Sequence, residues 1–280
     1  MTVIAALPGR AGKSRGWAKL RRMDENKHAS RSRTIYLLPN LFTTAGLFAG
    51  FYAIIAASNG HFVQASVAVF IAAIMDGIDG RVARLTGTSS DFGVQYDSLA
   101  DLVSFGMAPA LVMYHWALSS LKFDGSVMGR VGWAVAFLYA ACAALRLARF
   151  NTQVGTVDKR WFIGLASPAA AGLMMAFVWA FADGDLGWSG EQLRYVALGV
   201  TLCAALLMVS RIRFWSFKGT GQGPKADRIP FYALFLIPVV IAVLAMDLPR
   251  ALLAIGVVYA CSGPATWAWR RWRKLPGAAP

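Results

Sequence analysis

Charge is scarce in this sequence. Of its 280 residues only 15% are Asp, Glu, Lys or Arg, and the acidic ones number 14. A soluble globular domain carries about 25% charged residues, so that class is excluded. Cysteine is scarce too. Cys142, Cys203 and Cys261 each sit inside an apolar run, which excludes a disulfide framework and a cysteine-ligated zinc site and leaves small packing residues. The three histidines, at positions 28, 61 and 115, are too scattered to form a metal cluster or a catalytic pair. The N-terminus "MTVIAALPGRAGKSRGWAKLRR" has no uninterrupted apolar stretch of the kind a cleaved signal peptide requires. No internal repeat is visible.

What is abundant is apolar sequence. Hydrophobic residues make up 57% of the chain and the mean hydropathy is +0.51. Several runs approach the ~20 residues that cross a bilayer as a helix. They predict spans near 36–58, 62–80, 97–118, 131–150, 164–182, 194–210, 231–246 and 248–267. The expected fold is therefore an all-α, polytopic integral membrane bundle of about eight transmembrane helices.

Orientation follows from the cations. The tail 1–35 holds nine Lys and Arg, the regions at and after the second, fourth and sixth spans hold two, four and five, and the C-terminal tail holds four. The opposite loops hold only Lys122, Arg130, Arg194 and Arg250. Positive residues stay inside, which places both termini in the cytoplasm, as for a bacterial inner-membrane protein. The net charge of +14 then reads as topology and attraction to anionic membrane lipids, with no nucleic acid as partner. The chain divides into a basic tail (1–35, disordered or interfacial), a membrane core (36–220), further C-terminal transmembrane helices (221–268) and a basic tail (269–280).

Against this background, residues 75–101, "MDGIDGRVARLTGTSSDFGVQYDSLAD", stand out. A carboxylate in hydrocarbon costs several kcal/mol, so intramembrane aspartates are rare and functional. At about 100° per residue, Asp76, Asp79, Gly80, Ala83 and Arg84 share one helix face. Gly93, Asp97, Ala100, Asp101 and Ser104 share another. The polar stretch 85–92 reads as the turn between them. Four converging carboxylates repel unless protons or cations intervene. Oxygen-only ligands suit hard cations such as Mg²⁺ or Mn²⁺, which commonly bridge carboxylates and phosphates. Gly80, Ala83 and Gly93 leave room for a ligand, although small residues on a helix face also serve packing. Arg84 offers a fork for phosphate.

The pattern D-x₂-D-G-x₂-A-R-x₈-G-x₃-D-x₃-D over 76–101 resembles the signature of the CDP-alcohol phosphatidyltransferase family. The resemblance implies a membrane-embedded enzyme that moves a phosphatidyl group from a CDP-linked lipid to an alcohol, releases CMP and uses two divalent ions. It implies metal ligation by Asp76, Asp79 and Asp97, and metal ligation or a base role toward the acceptor for Asp101. It gives Asp79, Gly80, Ala83, Arg84 and Gly93 to the CDP cradle, and it implies a homodimer.

"DSLADLVSFGMAPA" (97–110), "ALRLARFN" (144–151), "FIGLASPAAAG" (162–172) and "MVSRIRFWSFK" (208–218) resemble the phosphatidylserine synthase branch. So does "LLPNLFTTAGLFAG" (37–50), where the likeness turns Asn40 and Thr43 toward the nucleotide. The likeness covers roughly 36–220, with Ala166 standing where that branch usually has proline, and makes this the catalytic core. Its substrates would be CDP-diacylglycerol and L-serine. Serine's carboxylate needs a cation, preferably forked. Arg146 and Arg149 are candidates, with Asn151 beside them; positive-inside topology also accounts for both arginines. Ser104 would contact the acceptor or form a helix–helix hydrogen bond. Other acceptors (glycerol 3-phosphate, inositol phosphate, choline) remain alternatives, as does a cation transporter, which the clustering of the aspartates near one surface disfavours.

Overall fold

A computed structural model of the chain describes residues 40–86, 90–152, 161–183, 188–215 and 247–272. The tail 1–35, the expected span 231–246 and the tail beyond Trp272 lie outside these residues. Helix α1 (Asn40–Ser58) and helix α2 (Phe62–Thr86) form a hairpin. Gly60 makes its turn. With φ at +80° it closes α1 as His61 N–H donates to Ala56 O at 2.9 Å and Gly60 N–H to Ala57 O at 3.1 Å. That left-handed closure favours a residue without Cβ.

Ser90 caps α3 (Asp91–Asp101) by accepting the Gly93 N–H at 3.0 Å, which satisfies an otherwise orphaned helix donor. The helix continues through a π-helical segment (Leu102–Met107) into α4 (Ala108–Trp116). Pro109 has no N–H for the Phe105 carbonyl four residues back. The buried Tyr139 hydroxyl donates to that carbonyl instead, at 3.1 Å. A 3₁₀ turn (Leu118–Asp124), bent by 40° from the rod, leads to α5 (Ser126–Thr152). Then come β1 (Trp161–Ile163), α6 (Ser167–Ala182), α7 (Arg194–Val209), β2 (Arg213–Trp215) and α8 (Leu248–Trp272). β1 and β2 form an antiparallel ladder that ties the entrance of α6 to the exit of α7.

Helix α6 has no exposed residue and packs against α2, α4, α7 and α8. The core is rich in alanine, including Ala53, Ala65, Ala108, Ala143, Ala171 and Ala205. Small side chains let helix backbones approach closely where lipid supplies no hydrophobic drive between helices. The outer faces carry large apolar groups instead: Phe48 is 70% exposed and Phe137 62%.

The all-α polytopic class expected from composition holds, with the three-residue ladder as an addition. Among the described residues four helices, Asn40–Ser58, Phe62–Ala83, Ser126–Thr152 and Leu248–Trp269, are long and apolar enough to cross a membrane, and the bent Phe92–Trp116/Leu118–Asp124 pair would make a fifth. Helices α6 and α7 are shorter, at 16 residues each. The helices around the aspartates extend beyond the expected spans, which stopped at 80 and resumed at 97. Helix α2 runs to Thr86 and α3 starts at Asp91. Hydropathy marks where the chain is apolar; backbone hydrogen bonding carries the helix past that point.

Candidate active site

Helix α2 brings Asp76 and Asp79 to the same recess that α3 lines with Asp97 and Asp101. Asp76, Asp97 and Asp101 each place a carboxylate oxygen within 4.8 Å of the other two. Helix α1 closes the recess with Thr43, Gly46 and Leu47. Its close approach rests on small residues: Ala72 and Ala100 border the recess, and a Cβ on Gly46 would lie 3.6 Å from the Ala72 carbonyl oxygen. Ser104, on the π segment, donates to Gly46 O at 3.1 Å. Of the two roles expected for Ser104, this is the helix–helix hydrogen bond, made at the edge of the recess.

Asp79 stands apart from the other three. It is only 5% exposed, and its carboxylate accepts the Thr43 hydroxyl at 2.8 Å. Thr43, expected to face the nucleotide, therefore also holds a carboxylate in place. A three-carboxylate, oxygen-only set is the donor chemistry of a hard divalent cation, and the repulsion among these groups is what such a cation relieves.

Two of the residues expected to take the nucleotide meet where α1 packs on α3. A Cβ on Gly93 would lie 3.2 Å from Ser90 Oγ and 3.6 Å from Asn40 Oδ1, so the two expected cradle residues Asn40 and Gly93 are neighbours. Thr44 Oγ1 and the Tyr96 hydroxyl, 2.9 Å apart, tie the same two helices together. Gly80 and Ala83 are half-buried on α2. The side chain of Arg84 lies outside the described residues.

Arg146, expected to meet the acceptor, projects from α5. Its Nη1 donates to Ser167 Oγ at 2.7 Å, and its charge acts on Asp101. Its Nε is buried without a hydrogen-bond partner among the described residues. Asn151 donates to Ser98 Oγ at 2.9 Å, docking the end of α5 beside Asp97. Arg149, half-buried, makes no side-chain hydrogen bond among the described residues. Three residues here were not singled out from sequence. Ser167 is fully buried at the start of α6, and Tyr139 and Tyr259 interact electrostatically with Arg146. "SP" in "GLASPAAA" signals a helix start, but nothing local announces a partner 21 positions earlier.

The "CDP-diacylglycerol–serine O-phosphatidyltransferase" of Helicobacter pylori is 43% identical over 184 residues, covering 66% of this chain and 74% of that protein. The protein of the same name from Mycobacterium tuberculosis is 34% identical over 257 residues, 86% of this chain and 82% of its own. That from Methanocaldococcus jannaschii is 31% identical over 195 residues, 70% and 80% respectively. Residues 36–207 match the family described as CDP-alcohol phosphatidyltransferase. With most of the membrane core and all four aspartates inside that match, the chain belongs to the CDP-alcohol phosphatidyltransferase family.

Proposed function

We propose that this protein transfers the phosphatidyl group of CDP-diacylglycerol to the hydroxyl of L-serine, giving phosphatidylserine and CMP. The observation that carries the reading is the carboxylate trio Asp76, Asp97 and Asp101 within 4.8 Å, electrostatically coupled to the part-buried cation Arg146. A diphosphate bearing two lipid tails needs a cationic clamp at a membrane-embedded recess, and an amino-acid acceptor needs a cation for its carboxylate. The names of the relatives, all serine phosphatidyltransferases, support the same acceptor.

Asp76, Asp97 and Asp101 would hold Mg²⁺ or Mn²⁺, with Asp79 at the edge of the set. Bound there, the metal supplies positive charge that neutralises the diphosphate. Asn40, Thr43, Gly80, Ala83, Arg84 and Gly93 would take the CDP head. Arg146, with Arg149 and Asn151 nearby, would orient serine. Asp101 takes the proton from the serine hydroxyl, because a neutral alcohol is a weak nucleophile at pH 7. The serine oxygen bonds to the phosphorus next to diacylglycerol, and the bond from that phosphorus to the bridging oxygen breaks to release CMP. The recess would face the bacterial cytoplasm, where CDP-lipid heads and serine are available, and the enzyme would work as a homodimer.

The test is CMP release by the detergent-solubilised protein supplied with CDP-diacylglycerol and one alcohol at a time. Serine is expected to support turnover well above glycerol 3-phosphate, inositol phosphate or choline. EDTA is expected to abolish it, and Mn²⁺ or Mg²⁺ to restore it. Preference for another alcohol would overturn the acceptor, and full activity in chelator would overturn the metal.

A further inference from the structure

Arg146 is a part-buried cation whose charge acts on Asp101, and its three guanidinium nitrogens are not equivalent. Nη1 is engaged by the hydroxyl of Ser167, a residue with no exposed surface, at 2.7 Å. Nε is buried and has no hydrogen-bond partner among the described residues. A buried donor left unpaired costs free energy, so native proteins rarely keep one without a use. A guanidinium binds a carboxylate through two parallel N–H groups, either across its end (Nη1 and Nη2) or along its side (Nε and Nη2). Ser167 takes one of the two Nη1 N–H groups, and the unpaired Nε marks the side edge as the one with a donor left to fill.

From this, and resting on the reading of L-serine as acceptor, we infer that Ser167 is a positioning residue for the acceptor. By holding Nη1 it sets the rotation of the Arg146 guanidinium, so that the Nε–Nη2 edge receives the serine carboxylate while Asp101 meets the serine hydroxyl. The placement of Ser167 fits this task. It is the first residue of α6, a helix with no exposed residue, and Pro168 follows it. A proline in the first turn costs no hydrogen bond there and pre-sets the helical backbone. The ladder of β1 with β2 and the hydrogen bonds Gly164 N–H to Ile212 O (2.8 Å) and Leu165 N–H to Leu207 O (2.9 Å) fix the approach to that position from the other side. Ser167 is thus anchored to the scaffold, while Arg146, on its long flexible stem, is the group that needs orienting.

The inference separates acceptor binding from the rest of the cycle. In Ser167→Ala the guanidinium keeps its charge but loses its fixed rotation. The KM for serine is expected to rise about tenfold, the scale of one hydrogen bond to a charged group, with kcat within about twofold and the KM for CDP-diacylglycerol unchanged. That pattern is the signature of lost ground-state binding of one substrate. Melting temperature and Mn²⁺-dependent CDP binding, measured on the same preparation, report the fold. An unchanged serine KM overturns the inference. So does a fall in kcat alone, which would make Arg146 a charge partner of Asp101 only, and so does loss of CDP binding or of the folded state, which would make Ser167 a packing residue. The alcohol screen on the unsubstituted protein stands apart from all of these: failure with serine there removes the proposed function itself, whereas good serine turnover with an unmoved KM in Ser167→Ala removes only the positioning role.

Discussion

Asp76 and Asp101 belong to one carboxylate trio, and the roles proposed for them differ. Asp101 stands one turn past Asp97 on α3, beside the π segment, and is the carboxylate on which the charge of Arg146 acts. On the proposed mechanism it is the member that would meet an acceptor held by Arg146. Asn is nearly the same size as Asp and still offers one oxygen to a cation, but it cannot take up a proton at neutral pH. Asp101→Asn is therefore expected to lower kcat by about 10² or more while CDP-diacylglycerol binding persists. Asp76→Asn is expected to weaken metal-dependent CDP binding itself. Titration of CDP in Mn²⁺, run beside turnover for each variant, checks both; normal turnover by Asp101→Asn would place the base elsewhere. The convergence of the aspartates was legible in the sequence, because helical spacing alone put them on two faces. The separation of Asp79 from the trio was not, since it depends on a hydroxyl 36 positions earlier, Thr43, which no local pattern links to it.

Between elements, the recess depends on how closely α1 lies against the α3–π–α4 rod. A Cβ added to Gly50 would come within 2.5 Å of Ser104 Oγ and 2.7 Å of its Cα, distances that force the two helices apart. Because Thr43 is carried on the same helix, moving α1 would also pull the Thr43 hydroxyl from Asp79. Gly50→Ala is expected to cost about 1–3 kcal/mol, the usual penalty for overpacking, and to reduce turnover. Gly199→Ala on α7, where an added Cβ meets nothing within 4 Å, is expected to be neutral or slightly stabilising, since alanine is the better helix former. Thermal unfolding in detergent, compared for the two variants, distinguishes a specific contact from a general intolerance of alanine. Element positions were legible because apolar runs are long and their composition is unambiguous. The π segment was not legible. It lies just before Pro109, and the Phe105 carbonyl is met by Tyr139, 34 positions away; that is tertiary context rather than local propensity.

At the scale of the whole molecule, the chemistry sits at one end of the bundle and a structural clasp at the other. Helix α5 measures the distance between them. Its 27 residues make about 40 Å of helix at 1.5 Å per residue, from Ser126 beside Asp124 to Asn151, which docks on Ser98 next to Asp97. At the Ser126 end, Arg194 grips Asp124 with two hydrogen bonds, Nε to Oδ2 at 2.7 Å and Nη2 to Oδ1 at 2.8 Å, and the Tyr195 hydroxyl adds a third at 3.0 Å. Helix α8 lies beyond the segment matched to the family, yet it packs along α6 and brings Tyr259 to Arg146 and to the ring of Phe214 at 5.8 Å. The packing around Arg146 accordingly extends past residue 207. The charge asymmetry of the sequence would place the aspartate end in the cytoplasm, and the length of α5 makes that expectation testable, because both ends emerge from a hydrocarbon core about 30 Å thick. In a background with Cys142, Cys203 and Cys261 replaced by alanine, Thr86→Cys at the aspartate end and Ser126→Cys at the clasp end are both exposed positions. A membrane-impermeant maleimide added outside intact spheroplasts is expected to label Ser126→Cys and to leave Thr86→Cys unmodified, and inside-out vesicles are expected to reverse the result. Labelling of both from one side would refute the orientation, and labelling of Thr86→Cys alone from outside would turn the active site to face away from the cytoplasm.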